Sequence, residues 1–254
     1  MLLCIDIGNT NITLGLFEGE GMGPCWRIRT IHDRMPDEYG ILLDQLFRNR
    51  RQRPEDVTGI VIASVVPPLT PIFEQVCRDY LGQKPLVMGV GIPTGVRIRY
   101  DNPCEVGADR VADAAAVRAL YSLPACVVDF GTATTFDAIS AEGDYLGGAI
   151  APGIGIAAQA LFERTAKLHR VELTRPPSVI GRTTTHSIQS GLMFGYVGLV
   201  EGMVARFREE LGEDMHVIGT GGLAETMARE TDVIQVVDPW LTLKGLRIVW
   251  ELNQ

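Results

Sequence analysis

Asp6-Ile7-Gly8-Asn9-Thr10 and Asp129-Phe130-Gly131-Thr132-Ala133-Thr134-Thr135 each follow an apolar run, Met1 to Ile5 and Ala125 to Val128. Both read as a strand, a terminal aspartate, an apolar residue, a glycine, a small polar residue and threonine. A carboxylate at a strand end holds a hard cation through oxygen, and a glycine turn lets backbone N–H groups come close to an anion. The pattern suits a metal-bound phosphate. A single copy would match an ordinary hairpin turn, where Gly-Asn pairs are common. Two copies, the second opening near the midpoint of a 254-residue chain, point to a duplicated fold with a phosphate-binding loop on each side of a cleft.

Outward from the first copy, β-branched and apolar runs at 2–7, 11–17 and 24–30 predict three antiparallel strands. A helix over Met35–Arg51, a buried strand over Val57–Ala63 and a helix from Pro67-Pro68 to about Leu81 follow. The stretch 83–103 reads as loop, and the alanine-rich run Glu105–Leu120 as helix. After Asp129 the order repeats: strands Thr134–Ile139 and Tyr145–Ile150, then helices at 153–168 and 185–211. The end reads as strand His216–Gly219, helix Leu223–Arg229, strand Val233–Val237 and a last helix begun by Asp238-Pro239. Two mixed-sheet α/β domains result, expected over 1–118 and 119–254. The segment 168–184, with Pro176-Pro177, is expected to be an exposed loop, and Asp137 a turn or cap residue.

Bulk properties narrow the partners. A net charge of −8 argues against a nucleic-acid or anionic-membrane surface, since both need clustered Lys and Arg. The five cysteines form no CxxC pair and the four histidines no HxxxH or HExxH spacing. Reduced thiols in a cytoplasmic protein are therefore expected, and a zinc site is not. No basic n-region precedes the first apolar run, which Asp6 interrupts, and no apolar stretch reads as a membrane span.

No GxxxxGK[ST] occurs, so a nucleotide would not sit on a P-loop, and Asp129-Phe130-Gly131 lacks the other protein-kinase motifs. A third glycine run, Gly219-Thr220-Gly221-Gly222, lies between a strand and a helix, where close backbone approach suits an adenosine or phosphate. These three elements in this order resemble the actin, Hsp70 and sugar-kinase superfamily. That resemblance implies duplicated ribonuclease-H-like domains, each a mixed sheet flanked by helices, closing on ATP. Together with Gly15, Gly107-Ala108-Asp109-Arg110 and Gly147-Gly148 through Pro152-Gly153, the chain resembles type III pantothenate kinases from Met1 to its last helix. Such enzymes make 4′-phosphopantothenate from pantothenate and ATP, the entry step of coenzyme A synthesis.

The resemblance implies roles residue by residue. Asp6, Ile7, Gly8, Asn9, Thr10, Asn11, Ile12 and Thr13 would hold the ATP phosphates, with Asp6 near Mg2+. Asp109 would take the proton of the pantothenate hydroxyl, and Gly107, Ala108 and Arg110 would contact the substrate, as would Tyr100 and Thr184. Asp129 would hold a monovalent cation, K+ or NH4+, and Thr132 would contact ATP. Read without the family, Asp109-Arg110 is a solvated helical charge pair, and Asp129 a carboxylate capping its own turn. A glycine in an alanine-rich helical run speaks against the first of these.

Two other functions compete: a nucleotide-binding regulator of the same fold, and another kinase or phosphatase of the superfamily. A regulator needs no proton acceptor, and the other enzymes would lack the run from Gly107 to Arg110. The helix expected at 185–211 is apolar on more than one face, with Gly191, Gly195, Gly198 and Gly202 three or four positions apart. Such a helix must be covered twice, either wholly within one chain as a central helix or by a second copy, and the second agrees with the homodimer that the resemblance implies.

Overall fold

The computed structural model describes all 254 residues. They form two units, Met1–Tyr121 with Leu241–Gln254, and Ser122–Trp240. In the first, β1 (Leu2–Ile7), β2 (Asn11–Glu18), β3 (Gly21–Arg29), β4 (Gly59–Ser64) and β5 (Leu86–Val87) form one sheet. Its order is β3-β2-β1-β4-β5, antiparallel through the first three strands and parallel through the last three. In the second, β6 (Ala125–Phe130), β7 (Ala133–Ile139), β8 (Tyr145–Pro152), β9 (His216–Thr220) and β10 (Val236–Val237) follow. Their order, β8-β7-β6-β9-β10, has the same directions. The duplication is therefore one of topology, with Asp6 and Asp129 each next to last in the central strand.

Alternation along β1 sends Leu3, Ile5 and Ile7 to one face. There they join Tyr39 and Phe47 of α1 (Pro36–Asn49) and Phe73 and Val76 of α2 (Thr70–Leu81) in a fully buried core. Each such side chain contributes about 1.5–3 kcal/mol by leaving water. Leu2, Cys4 and Asp6 take the opposite face. It is covered by α7 (Leu241–Glu251), which also packs on α3 (Ala108–Leu120). Leu243 lies over Gly15, the cross-strand partner of Cys4, and Trp250 lies over Gly59, the partner of Leu2. A Cβ on Gly245 would overlap the Ala112 carbonyl, so α7 and α3 touch backbone to backbone. The last helix thus belongs to the first unit. The expected domain of 119–254 does not hold it, because its packing partners are more than a hundred residues upstream.

In the second unit, α5 (Thr184–Leu211) lays Ile188, Leu192, Met193, Tyr196, Val200 and Val204 against Cys126, Val128 and Phe130 of β6. By length and composition α5 could cross a bilayer, contrary to the expectation that no segment qualifies; seven of its residues are buried in this unit. The expected helix at 153–168 ends earlier, as α4 (Ile154–Glu163). The loop before α5 is not simply exposed. Leu168, Val171 and Leu173 pack on the core, and Gln189 Nε2 donates to Glu172 O (3.0 Å) and Thr174 Oγ1 (2.9 Å). A short helix, α6 (Ala224–Ala228), follows β9.

Asp137 is neither a turn nor a cap. It lies within β7 opposite Val127, buried, and accepts hydrogen bonds from Tyr145 Oη (2.8 Å) and Thr135 Oγ1 (3.3 Å). A buried carboxylate with two hydroxyl donors is a satisfied core group.

Candidate active site

In open α/β sheets, ligands gather beyond the carboxyl ends of the parallel strands. Asp6 lies next to last in β1 there, half-buried, directly across from Thr13 on β2 and beside Ala63 on β4. The turn that follows is tight: Gly8 N–H donates to Asn11 O at 3.0 Å. Asn9, Thr10 and Asn11 are exposed. Ile7 and Ile12 are not, and their side chains lie in the core. Of the eight residues expected to hold phosphates, those two could therefore do so only through the main chain.

Asp109 opens the first turn of α3. Its Oδ1 accepts the Arg110 N–H at 2.8 Å, and the carboxylate rests against Gly107, where any Cβ would overlap it. Gly107 also faces Val65, whose N–H donates to Ile7 O at 3.0 Å. The start of α3 thus adjoins the same strand edge as Asp6. Burial holds the Asp109 carboxyl above its ordinary value of 3.8, against the pull of the Arg110 N–H and guanidinium. A half-buried carboxylate with raised proton affinity is the group a general base requires.

Asp129 repeats the position of Asp6, with Thr135 across the ladder on β7 and Thr220 beside it on β9. Three loops of the second unit converge on it. Gly131 and Thr132 follow it, and Gly153 presses on the Gly131 and Thr132 carbonyls. Gly221, at φ +89°, packs against the Asp129 carboxylate and the Phe130 backbone. Sequence reasoning missed Thr135 and Thr220, which only the register places beside the carboxylate. All the donors here are oxygens, the chemistry that a hard alkali or alkaline-earth cation takes. No three His, Cys, Asp or Glu side chains cluster anywhere in the protein.

Thr184 is the first residue of α5, whose N-cap Thr183 accepts the His186 N–H at 3.1 Å. It borders a pocket of about 640 Å³ lined by Leu168, Gly181, Arg182, Thr183, Thr184, Ser187 and Ile188. Tyr100 lies on the exposed segment between β5 and α3.

The profile of the type III pantothenate kinase family matches residues 2–206. The chain belongs to the type III pantothenate kinase family. Two curated members match over their whole lengths, and over the whole of this chain. The enzyme of Roseiflexus sp. (strain RS-1) is 52% identical over 254 residues. That of Moorella thermoacetica is 53% identical over 253 residues. Among solved structures, a Baf family transcriptional activator from Campylobacter jejuni superimposes with a TM-score of 0.64 at 19% identity, covering 99% of this chain and 98% of its own. A polyphosphate/ATP-glucomannokinase from Arthrobacter gives 0.54 at 15% identity, covering 100% of this chain and 99% of its own. At such identities these two show a shared fold, in agreement with the duplicated mixed-sheet domains that the resemblance implies. A pantothenate kinase on this fold must bring phosphates, an alcohol and a proton acceptor together. In the first unit the Asp6 loop and Asp109 share one strand edge; in the second Asp129, Thr132 and Gly221 share another.

Proposed function

We propose that the chain transfers the γ-phosphoryl group of ATP to the hydroxyl of pantothenate, with Asp109 taking the hydroxyl proton. The observation that carries this reading is the Asp109 carboxylate, seated over Gly107 at the first turn of α3 and raised in proton affinity by burial. Phosphoryl transfer leaves the protein little covalent work: it must orient the alcohol, accept one proton and offset charge on the phosphates. The loop from Asp6 to Thr13 holds the phosphates through backbone N–H groups and short polar side chains. Arg110 offers a planar donor fork to an oxygen of the substrate, while Tyr100 and Thr184 contact pantothenate. Asp6 would hold Mg2+ and Asp129 a monovalent cation, both of which offset phosphate charge when bound. Thr132 and the glycine run at 219–222 take the nucleotide. The five cysteines are free, and burial raises the Cys77 thiol to about 12, which keeps it protonated at neutral pH; the cytoplasm, where thiols stay reduced, is the proposed location.

The test is ADP release by the purified chain in Mg-ATP, with and without pantothenate. Release is expected only with pantothenate. It is expected in KCl or NH4Cl and to be slight in NaCl at equal ionic strength, which controls for screening. ATP bound without turnover would favour a regulator instead, and equal rates in all three salts would remove the cation from Asp129.

A homodimer is also expected. Gly191, Gly195 and Gly198 line α5, and a Cβ added at any of them meets nothing within 4 Å. Exposed Ile156, Leu161 and Phe162 of α4 add apolar surface in the same unit. A second copy related by a twofold axis would cover both helices. Gly195→Phe should leave the single chain folded, because Gly195 is exposed and a Cβ there meets nothing within 4 Å, and should abolish pairing. Sedimentation velocity should show about twice 27.7 kDa for the parent and the single mass for the variant. A parent that sediments as the single chain while fully active would end the proposal.

A further inference from the structure

We infer that Thr30 sets the direction of the nucleotide loop's donors, a positioning role that rests on reading Asp6–Thr13 as that loop. Thr30 follows β3 and is buried. Its hydroxyl donates to Gly8 O at 2.6 Å, and its N–H donates to Thr10 O at 3.0 Å. Two carbonyls of the loop are thus drawn to one residue. In a trans peptide the C=O and the next N–H point in opposite directions. With Gly8 C=O turned toward Thr30, the Asn9 N–H points away from Thr30; Asn9, Thr10 and Asn11 are exposed.

The hydroxyl matters because glycine at 8 makes the opposite setting cheap. A flip of the Gly8–Asn9 peptide rotates Gly8 ψ and Asn9 φ together; glycine has no Cβ to oppose the first, and asparagine is among the residues that tolerate positive φ for the second. It would turn a carbonyl, the negative end of the peptide dipole, toward a phosphate. The N–H bond of Thr30 continues the β2–β3 ladder beyond its last pair, Asn11 with Arg29, and any residue at 30 would make it. The bond from Oγ1 depends on the side chain.

The second unit shows the contrast. Its equivalent ladder ends at Ala133 with Pro152, and the next residue is Gly153, which has no donor side chain. A Cβ on Gly153 would overlap the Thr132 and Gly131 carbonyls, so Gly153 packs closely behind that turn. The same structural position therefore carries a hydroxyl clamp behind the first loop and none behind the second.

The test compares Thr30→Val, which keeps shape and backbone N–H, with Thr30→Ser, which keeps the hydroxyl. Calorimetric titration of Mg-ATP without pantothenate reads the loop directly, and steady-state kinetics then separates the two substrates. Thr30→Val is expected to raise Kd and KM for ATP about tenfold, the scale of one lost hydrogen bond plus a buried carbonyl left without its donor. KM for pantothenate should move less than about twofold, and Thr30→Ser should bind ATP as the parent does. If Thr30→Val unfolds, Thr30→Ala carries the same expectation. Parent-like ATP binding by the valine and alanine variants, or a serine variant as impaired as they are, overturns the inference while the loop reading stands. A parent that binds no Mg-ATP sinks the loop reading, and the inference with it.

Discussion

Asp109→Asn is expected to bind pantothenate normally and to lower kcat by about 10²–10⁴, the usual worth of a positioned general base. Asparagine is nearly isosteric, and its side-chain oxygen can still accept the Arg110 N–H that Asp109 Oδ1 accepts at 2.8 Å. The first turn of α3 should persist, and thermal unfolding should stay close to that of the parent. What disappears is a group able to hold the hydroxyl proton as the phosphoryl group arrives. The pH profile gives a second reading. A base works only when deprotonated, so activity falls as pH drops through its pKa. Burial raises that pKa above 3.8, which moves the acid limb of kcat/KM to higher pH than an ordinary aspartate would give. In the Asn variant that limb should vanish from the residual rate. Near-normal turnover with the limb intact would take the proton from Asp109 and give it to another group.

Gly221→Ala should be severely destabilising for a single added methyl in the second unit. Its φ of +89° is a region where an L side chain costs about 1–3 kcal/mol. The added Cβ would also overlap Asp129 Oδ1 and approach Phe130 C and N to 2.7 and 2.8 Å. The carboxylate could swing aside, but the Phe130 backbone is in the central strand and cannot. Overpacking of this kind adds about 1–3 kcal/mol, so a fall in Tm of about 10 °C is expected. A displaced carboxylate should also weaken monovalent-cation activation beyond what stability explains. Gly89→Ala is the control, since its Cβ meets nothing within 4 Å and its φ is ordinary. Equal melting of the two variants would show that the loops around Asp129 are looser than their contacts imply.

Much of this was legible in the chain because the signals were local. Unbroken apolar runs before Asp6 and Asp129 announced the two central strands, and Gly107 in an alanine-rich run marked the seat of Asp109. What stayed hidden depends on register or on distant packing. Thr135 and Thr220 reach Asp129 only through ladder pairing, and Thr30 reaches the first loop from the end of β3. Ile7 and Ile12 fell inside a motif as letters, although their side chains are core. Asp137 looked like punctuation because its hydroxyl partner Tyr145 lies on the next strand. The allegiance of the last helix had no local signal at all.

That helix governs when the first unit can be finished during synthesis. Every residue assigned a role here has left the ribosome's active centre before Leu241 is added. Until then the face of the first sheet bearing Cys4 and Asp6 lacks its cover, and α3 lacks its backbone neighbour. The first half of the chain must wait, with apolar surface in water, while the whole second unit is translated and folds; contacts so far apart in sequence close slowly. A chain stopped at Trp240 would carry a complete set of candidate catalytic residues on an unfinished scaffold.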